Sequence, residues 1–300
     1  MSTATMTPGQ ALLKQIDNLG SIPSIQAIVQ PLIGYFQQPL EDVDTQRIID
    51  LVSHDSSLTA QCLHMANSPL FSRWQSVSTT RAAVMALGLQ RMREIVLSCC
   101  MLKMIGEGDS ANNPIVFWEH SLACALVCRK LSKRIGMQDS EQAYLAGLLH
   151  DIGFVVNLQV APERFMQASQ RAQLQRCSMD RMEDELMGFN HCESGKLLAQ
   201  QWKLNPAIME VISYHHRLSA LADYPALVAL VNLADRLCRL HGLGYGFPED
   251  LVIDWNQDEI IGTLSASFPN ARIINWQLFY KELETYLKDV RKLVQVMFRF

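Results

Sequence analysis

The stretch YLAGLLHDIGFVVNL, residues 144–158, constrains the fold more than any other, because it sets a histidine and an aspartate side by side inside an otherwise apolar segment. Leu145, Leu148, Leu149, Ile152 and Val156 recur at the spacing of one helical face, which predicts a buried or half-buried helix over the whole stretch. An unpaired carboxylate there either loses several kcal/mol (~) of solvation or shifts its pKa until it neutralises. Asp151 therefore needs a cation, a donor network or a metal, and the fold has to bring one to it.

The rest of the composition supports burial on this scale. Over 300 residues, an apolar fraction of 49% with 19% charged residues fills one large domain or two moderate ones. A net charge of -4 supplies no broad positive field, so no nucleic-acid partner is predicted. The basic segments RMRE (91–94) and CRKLSKR (128–134) read as solvated helix faces. By this reading no apolar run reaches the roughly 18 residues that span a bilayer, and the N-terminus lacks the basic-then-apolar order of a secretory signal. A cytoplasmic chain without a membrane partner is the expectation. Cys62, Cys99, Cys100, Cys124, Cys128, Cys177, Cys192 and Cys238 show no disulfide-framework spacing. Cys124 and Cys128 stand one turn apart just after His120, where small core hydrophobes are favoured over a metal site.

Strand signals are nearly absent while caps and helical periods recur, which predicts an all-α fold. An N-terminal helical lobe over 10–108 carries helices near 11–18, 24–36, 44–53, 57–66, 79–86 and 90–105. GEGDSANNP (106–114) then breaks the pattern and marks a boundary. A second lobe over 114–240 opens with Asn113 as cap and Pro114 at the first helical position, and Phe117, His120, Cys124, Val127 and Leu131 share one face of its first helix. A more polar helical stretch follows from 162 to about 187. Asn190 and Glu193 form a predicted capping box with His191 in the first turn, and Asn205 and Pro206 open a helix whose stripe ends at His215. Pro225 starts the helix that carries Asp235. A C-terminal extension over 241–300 holds helices near 257–267 and 273–297, the last long and amphipathic; it is expected to pack back on the second lobe, with self-association as the alternative.

Separate helices thus deliver His120, His150 with Asp151, His191, His215 with His216, and Asp235 to faces that should be buried. One histidine on an apolar face is ordinarily a hydrogen-bonded core residue. Two carboxylates and five imidazoles in one small lobe are hard to satisfy without a cation, and this mixed nitrogen and oxygen set suits iron, manganese, zinc or nickel, as one ion or two.

The order His120, the doublet at 150 and 151, and Asp235 resembles the metal-binding pattern of the HD superfamily. His191, His215 and His216 look like the additional ligands of its two-metal branch, which includes the HD-GYP phosphodiesterases of cyclic dinucleotides. In the first lobe, IPSIQAIVQPL, IIDLVSHDSSLTAQCLHMANSPLF and TTRAAVMALGLQRMREIVL resemble the N-terminal half of the HDOD domain, the HD-related output domain of bacterial signalling proteins. That resemblance implies an HD-type helical bundle of the HDOD kind and a signal-transduction role through a protein partner, in a family for which catalysis is generally not established. Within it, Asp55 is expected to cap the helix opened by Ser56 or Ser57, and Asn67 to end that helix in the left-handed conformation.

Three readings stay open: an output or adaptor domain with an organising metal, a metal-dependent phosphohydrolase, and an interaction protein without metal. The resemblance to HD-GYP enzymes is incomplete. Phe154 stands where they carry a lysine after the doublet motif, their GYP block is missing after His216, and Val116 replaces their extra upstream acidic ligand. Turnover needs groups that hold the phosphate and stabilise its developing charge, and Phe154 offers neither function. The nearest basic candidates, Arg164 and Arg217, are placed on a polar helix and toward solvent. Purified protein loaded with iron or manganese is therefore expected to hydrolyse cyclic dinucleotides poorly or not at all, measured against Asp151→Ala as the metal-free control.

Overall fold

Caps and apolar stripes read from the sequence become helices almost throughout. The computed structural model describes residues 44–53, 56–71, 76–105, 115–218, 222–247 and 249–297, among which no strand occurs. The helices are α1 (Thr45–Ser53), α2 (Ser56–Ala66), α3 (Thr80–Ile105), α4 (Ile115–Ile135), α5 (Ser140–Leu149), α6 (Ile152–Val160), α7 (Pro162–Gln175), α8 (Met179–Met187), α9 (His191–Gln201), α10 (Pro206–Tyr214), α11 (Pro225–Leu240), α12 (Glu259–Ser267) and α13 (Trp276–Met297). The helices predicted at 11–18 and 24–36, the cap at Asp55, the break at 106–114 and the Asn113–Pro114 start lie outside the described residues.

Among the N-terminal helices, Gly88 (φ 80°) interrupts the helical geometry of α3, between the two helices that the sequence predicts. Asn67 does act structurally, but not in the predicted left-handed conformation, since Arg176 and Lys203 are the only described non-glycine residues with positive φ. Its side chain instead clamps the chain after α2: Nδ2 donates to the Val77 carbonyl at 2.9 Å and Oδ1 accepts from the Val77 N–H at 2.7 Å.

The segments predicted as solvated faces prove more buried than their composition implies. Arg93, Glu94 and Arg129 are all buried, and the Arg129 guanidinium pairs with Glu94 across the α3–α4 contact while lying over the Phe71 and Tyr144 rings. Burying that pair beneath aromatic rings fastens the N-terminal helices to the second lobe, because neither charge has solvent to fall back on.

Helix α4 is the spine of the second lobe and packs on α5, α11 and α13. Its neighbours begin where the sequence provides caps. Asp139 accepts from the Glu141 and Gln142 N–H groups at the start of α5, Asn190 and Glu193 form the predicted capping box, and Asn205 accepts from Ala207 ahead of Pro206. The polar stretch 162–187 divides into α7 and α8 at Arg176, whose left-handed conformation ends α7. On the C-terminal side, His241 stacks on Tyr280, Arg291 donates to the His241 carbonyl and Lys130 lies over the Tyr286 ring, so α13 packs back on the second lobe.

The doublet segment departs from the single helix predicted for it. Residues Ser140–Val160 are in fact long and apolar enough to cross a membrane by length and composition, contrary to the sequence reading; they are 78% buried inside the protein, and His150 and Asp151 form the break between α5 and α6. Asp151 is the N-cap of α6, yet its carboxylate makes no capping hydrogen bond. It is directed elsewhere. Immediately after it, Gly153 lets α6 lie against the backbone at the start of α9: a Cβ there would meet the His191 carbonyl oxygen at 1.8 Å. Gly153→Ala is expected to destabilise the protein by about 3 kcal/mol, the upper end for overpacking, measured by urea unfolding.

Candidate metal centre

All seven predicted residues come together. Asp151 lies at the middle: its Oδ2 is 3.5 Å from His120 Nε2 and 3.1 Å from His150 Nε2, while its Oδ1 is 3.4 Å from His191 Nε2 and 3.2 Å from His215 Nε2. Asp235 closes one side, with Oδ1 3.2 Å from His120 Nε2 and Oδ2 4.0 Å from His216 Nδ1. His216 Nε2 lies 2.9 Å from His191 Nε2. One carboxylate thus divides the histidines into a His120–His150 pair and a His191–His215 pair.

The other edge of each of those four rings is fixed by an acceptor. His120 Nδ1 meets the Leu243 carbonyl at 2.7 Å, His150 Nδ1 the Gly147 carbonyl at 2.8 Å, and His215 Nδ1 the Val211 and Ile212 carbonyls at 3.2 and 3.3 Å. His191 Nδ1 meets Glu183 Oε2 at 2.5 Å. A carbonyl or carboxylate oxygen has no proton to give, so each Nδ1 carries the hydrogen and each neutral ring turns a bare Nε2 inward. Outer acceptors of this kind are what set metal-ligating imidazoles in their tautomer.

Bare nitrogens facing carboxylate oxygens repel unless something positive stands between them. Nε2 of His120, His150 and His215 and Oδ1 of both Asp151 and Asp235 are buried without a hydrogen-bond partner of proper geometry, while Asp235 Oδ2 already faces the Arg239 guanidinium. Ligand atoms about 2.0–2.2 Å from one ion lie about 3.0–3.5 Å from each other, and the contacts around Asp151 fall in that interval. The donor set fits one divalent ion or two, which these residues would hold.

Without a cation, protons would have to do the same work. Against the burial that opposes charge, His150, His215 and His191 hold Asp151 well below the usual carboxylate range, and Arg239 and His120 hold Asp235 below it. Burial would lower His215, but Cys192 and Asp151 push it up to about 10; Glu183 and Cys192 raise His191 well above its ordinary value. Burial dominates at His150 and His216 and drives both down, with His215 adding to the effect at His216. A divalent ion would replace those ring protons.

The surrounding groups include several that the sequence reading missed. Glu183 is fully buried, accepts from both the N–H and the ring of His191, and receives Asn157 Nδ2 at 2.8 Å. Its signal was available, because Met179, Met182 and Met187 form an inward stripe on the otherwise polar α8 that includes its position. Tyr245 donates to Asp151 Oδ2 at 3.0 Å, and Arg239 pairs with Asp235 at 3.0 Å and with Glu249 at 2.7 Å. Tyr245 lies in a glycine-rich loop with no periodicity to announce it. Phe154 packs on His191 with ring centroids 4.0 Å apart and joins Phe117, Phe165 and Tyr245 in an aromatic wall.

A family model, the HDOD domain, matches residues 22–218. The chain belongs to the HDOD family. An HDOD domain protein of unknown function from Geobacter sulfurreducens is 30% identical and superposes with a TM-score of 0.81 over 97% of this chain and 98% of that one. A candidate phosphohydrolase from Shewanella amazonensis (24% identity, TM-score 0.69, 96% and 98% covered) and a candidate signal transduction protein from Marinobacter aquaeolei (17%, 0.74, 97% and 65%) share the fold. An uncharacterized protein of Treponema pallidum is 26% identical over 80% of this chain, which spans only 46% of that relative. The HDOD match ends at Leu218, before Asp235, Leu243 and Tyr245, so the site draws on chain beyond the family's matched region.

Because Glu183 fixes the His191 ring, Glu183→Gln is expected to weaken divalent-metal affinity by about 10-fold or more, measured by chelator competition, with the helical circular dichroism unchanged.

Proposed function

We propose that this HDOD protein is a signal-transduction output domain acting through protein contacts, in which a divalent ion or ion pair in the HD-like half organises the helices that carry the ligands. One observation carries the reading: the inward Nε2 atoms of His120, His150, His191 and His215 surround Asp151 in a site where those five residues are buried. An ion held there by His120, His150, Asp151, His191, His215, His216 and Asp235 would join α4, the α5–α6 junction, α9, the end of α10 and α11. Its binding energy then adds to the stability of the arrangement that a partner meets.

A second reading, the metal-dependent phosphohydrolase, has one specific observation in its favour. A cavity of about 660 Å³, lined by His216, Asp180, Asn232, Arg217, Arg236 and Arg239 among others, reaches the ligand cluster at His216. When bound, such an ion would lower the pKa of a coordinated water toward neutrality. The charge balance of the cavity weighs against catalysis. Arg236 is bound bidentately by Asp258, Arg239 by Asp235 and Glu249, and Arg176 by Asp250, leaving Arg217 mostly exposed and 3.9 Å from Asp180. Those arginines are already neutralised by carboxylates and do not converge on a phosphate.

Elemental analysis of protein purified without chelator tests the proposal together with thermal unfolding. The expectation is one to two divalent ions per chain, a lower Tm after chelation, and recovery of about 2.7 kcal/mol at a metal concentration 100-fold above Kd. Asp151→Asn should bind none. Metal-free protein whose Tm ignores chelator would sink the reading; phosphoester turnover lost in Asp151→Asn would promote the hydrolase.

A further inference from the structure

The ligand set read from the sequence contains only nitrogen and oxygen, but a sulfur shares its space. His120, Cys124, His150 and Asp235 are all fully buried, and one ligand atom from each lies within 4.8 Å of the others. Cys124 follows His120 by one turn on α4 and so occupies the same face. The second observation is the set of orphaned atoms beside it: His120 Nε2, His150 Nε2 and Asp235 Oδ1 are buried, unpartnered and turned toward that space.

Cys238, fully buried on α11, shares a hydrogen bond with Cys124, and the remaining nearby thiols are placed differently. Cys192 is grouped with His191, His215 and His216 on the other side of the centre, but its Sγ is 3.9 Å from His215 Nδ1, the ring edge turned to the Val211 and Ile212 carbonyls and away from Asp151. Cys128 lies against α5, where its Sγ would be 2.8 Å from a Cβ on Gly147. Cys124 alone among the four is grouped with the His120–His150 side of the centre.

We propose that Cys124 is a sulfur ligand of the ion held by His120, His150 and Asp235. The inference rests on the metal reading above and deepens it. As the sulfur–metal bond forms, the thiol proton leaves to solvent, so the ion is bound by a thiolate and one further proton is released per ion. A thiolate in the first shell favours zinc or ferrous iron over manganese or magnesium, which prefer oxygen ligands. The centre is therefore selective for a thiophilic ion in a way that its histidines and carboxylates alone are not.

Cobalt(II) tests this without any assay of activity. The full chain, stripped with chelator and titrated with Co²⁺, should show visible d–d bands, which report binding, and a near-ultraviolet thiolate-to-cobalt charge-transfer band, which reports sulfur. Cys124→Ser should keep the d–d bands, lose the near-ultraviolet band and bind Zn²⁺ at least about tenfold more weakly, the smallest loss typical even for an outer-shell partner. Cys128→Ser, Cys192→Ser and Cys238→Ser should retain the band. Visible bands without the near-ultraviolet band in the wild type, or a band that survives in Cys124→Ser, would overturn the proposal and leave the metal reading standing. If Cys124→Ser does not fold, the wild-type spectrum and the three control variants still decide, because absence of the band in the wild type or its loss in any control overturns the proposal. Absence of any cobalt band in the wild type would sink the metal reading itself.

Discussion

Everything in the second lobe is arranged around one buried carboxylate. Asp151 has 4% of its surface exposed and stands between four imidazole nitrogens at 3.1–3.5 Å. A charge so far from water must be compensated locally, and the compensation has to arrive from α4, the end of α5, α9 and the end of α10 at once. Removing any one of these side chains would leave a charged or polar group buried without its partner, at a cost of about 1–3 kcal/mol or more.

That requirement explains features that look incidental one at a time. Asp151 occupies an N-cap position without capping, because its oxygens face the histidines. Gly153 has no Cβ because the His191 carbonyl occupies the space. Glu183 is buried on a polar helix because the His191 ring needs an acceptor behind it. The loop after α11 contributes twice, through the Leu243 carbonyl to His120 and the Tyr245 hydroxyl to Asp151. It ties the C-terminal part of the chain to the centre. Phe154 seals the His191 side with an aromatic contact where a cation might otherwise meet an anion, so the same sequence position that departs from the HD-GYP pattern also makes the site more enclosed.

The link between the two halves is electrostatic as well as apolar. Glu94 and Arg129 pair inside the α3–α4 contact, and Ser98 and Tyr144 share a hydrogen bond of 2.7 Å across α3 and α5. Tyr144 lies in the middle of the same helix that ends at His150. A change in the helices around the centre would therefore meet the N-terminal helices through packed, satisfied polar groups.

The sequence by itself determined most of the described helices, the caps at Asn190 and Asn205 and the seven candidate ligands at the centre. Apolar stripes and Asn, Asp and Pro signals are local, and each histidine was directed inward by the stripe it shares: His120 with Cys124 and Leu131, His215 with Val211 and Ile212. Only the tertiary structure decided how those residues meet. The break between α5 and α6 at His150 and Asp151, the burial of Arg129 and Glu183, and the reach of Tyr245 to Asp151 depend on groups 26 to 94 residues apart. Composition reads a lone charge as solvated, because it cannot see the distant partner that makes its burial affordable in free energy. Periodicity likewise carries a helix straight through a doublet, because it cannot see that ring nitrogens of His120, His191 and His215 from other helices face the carboxylate.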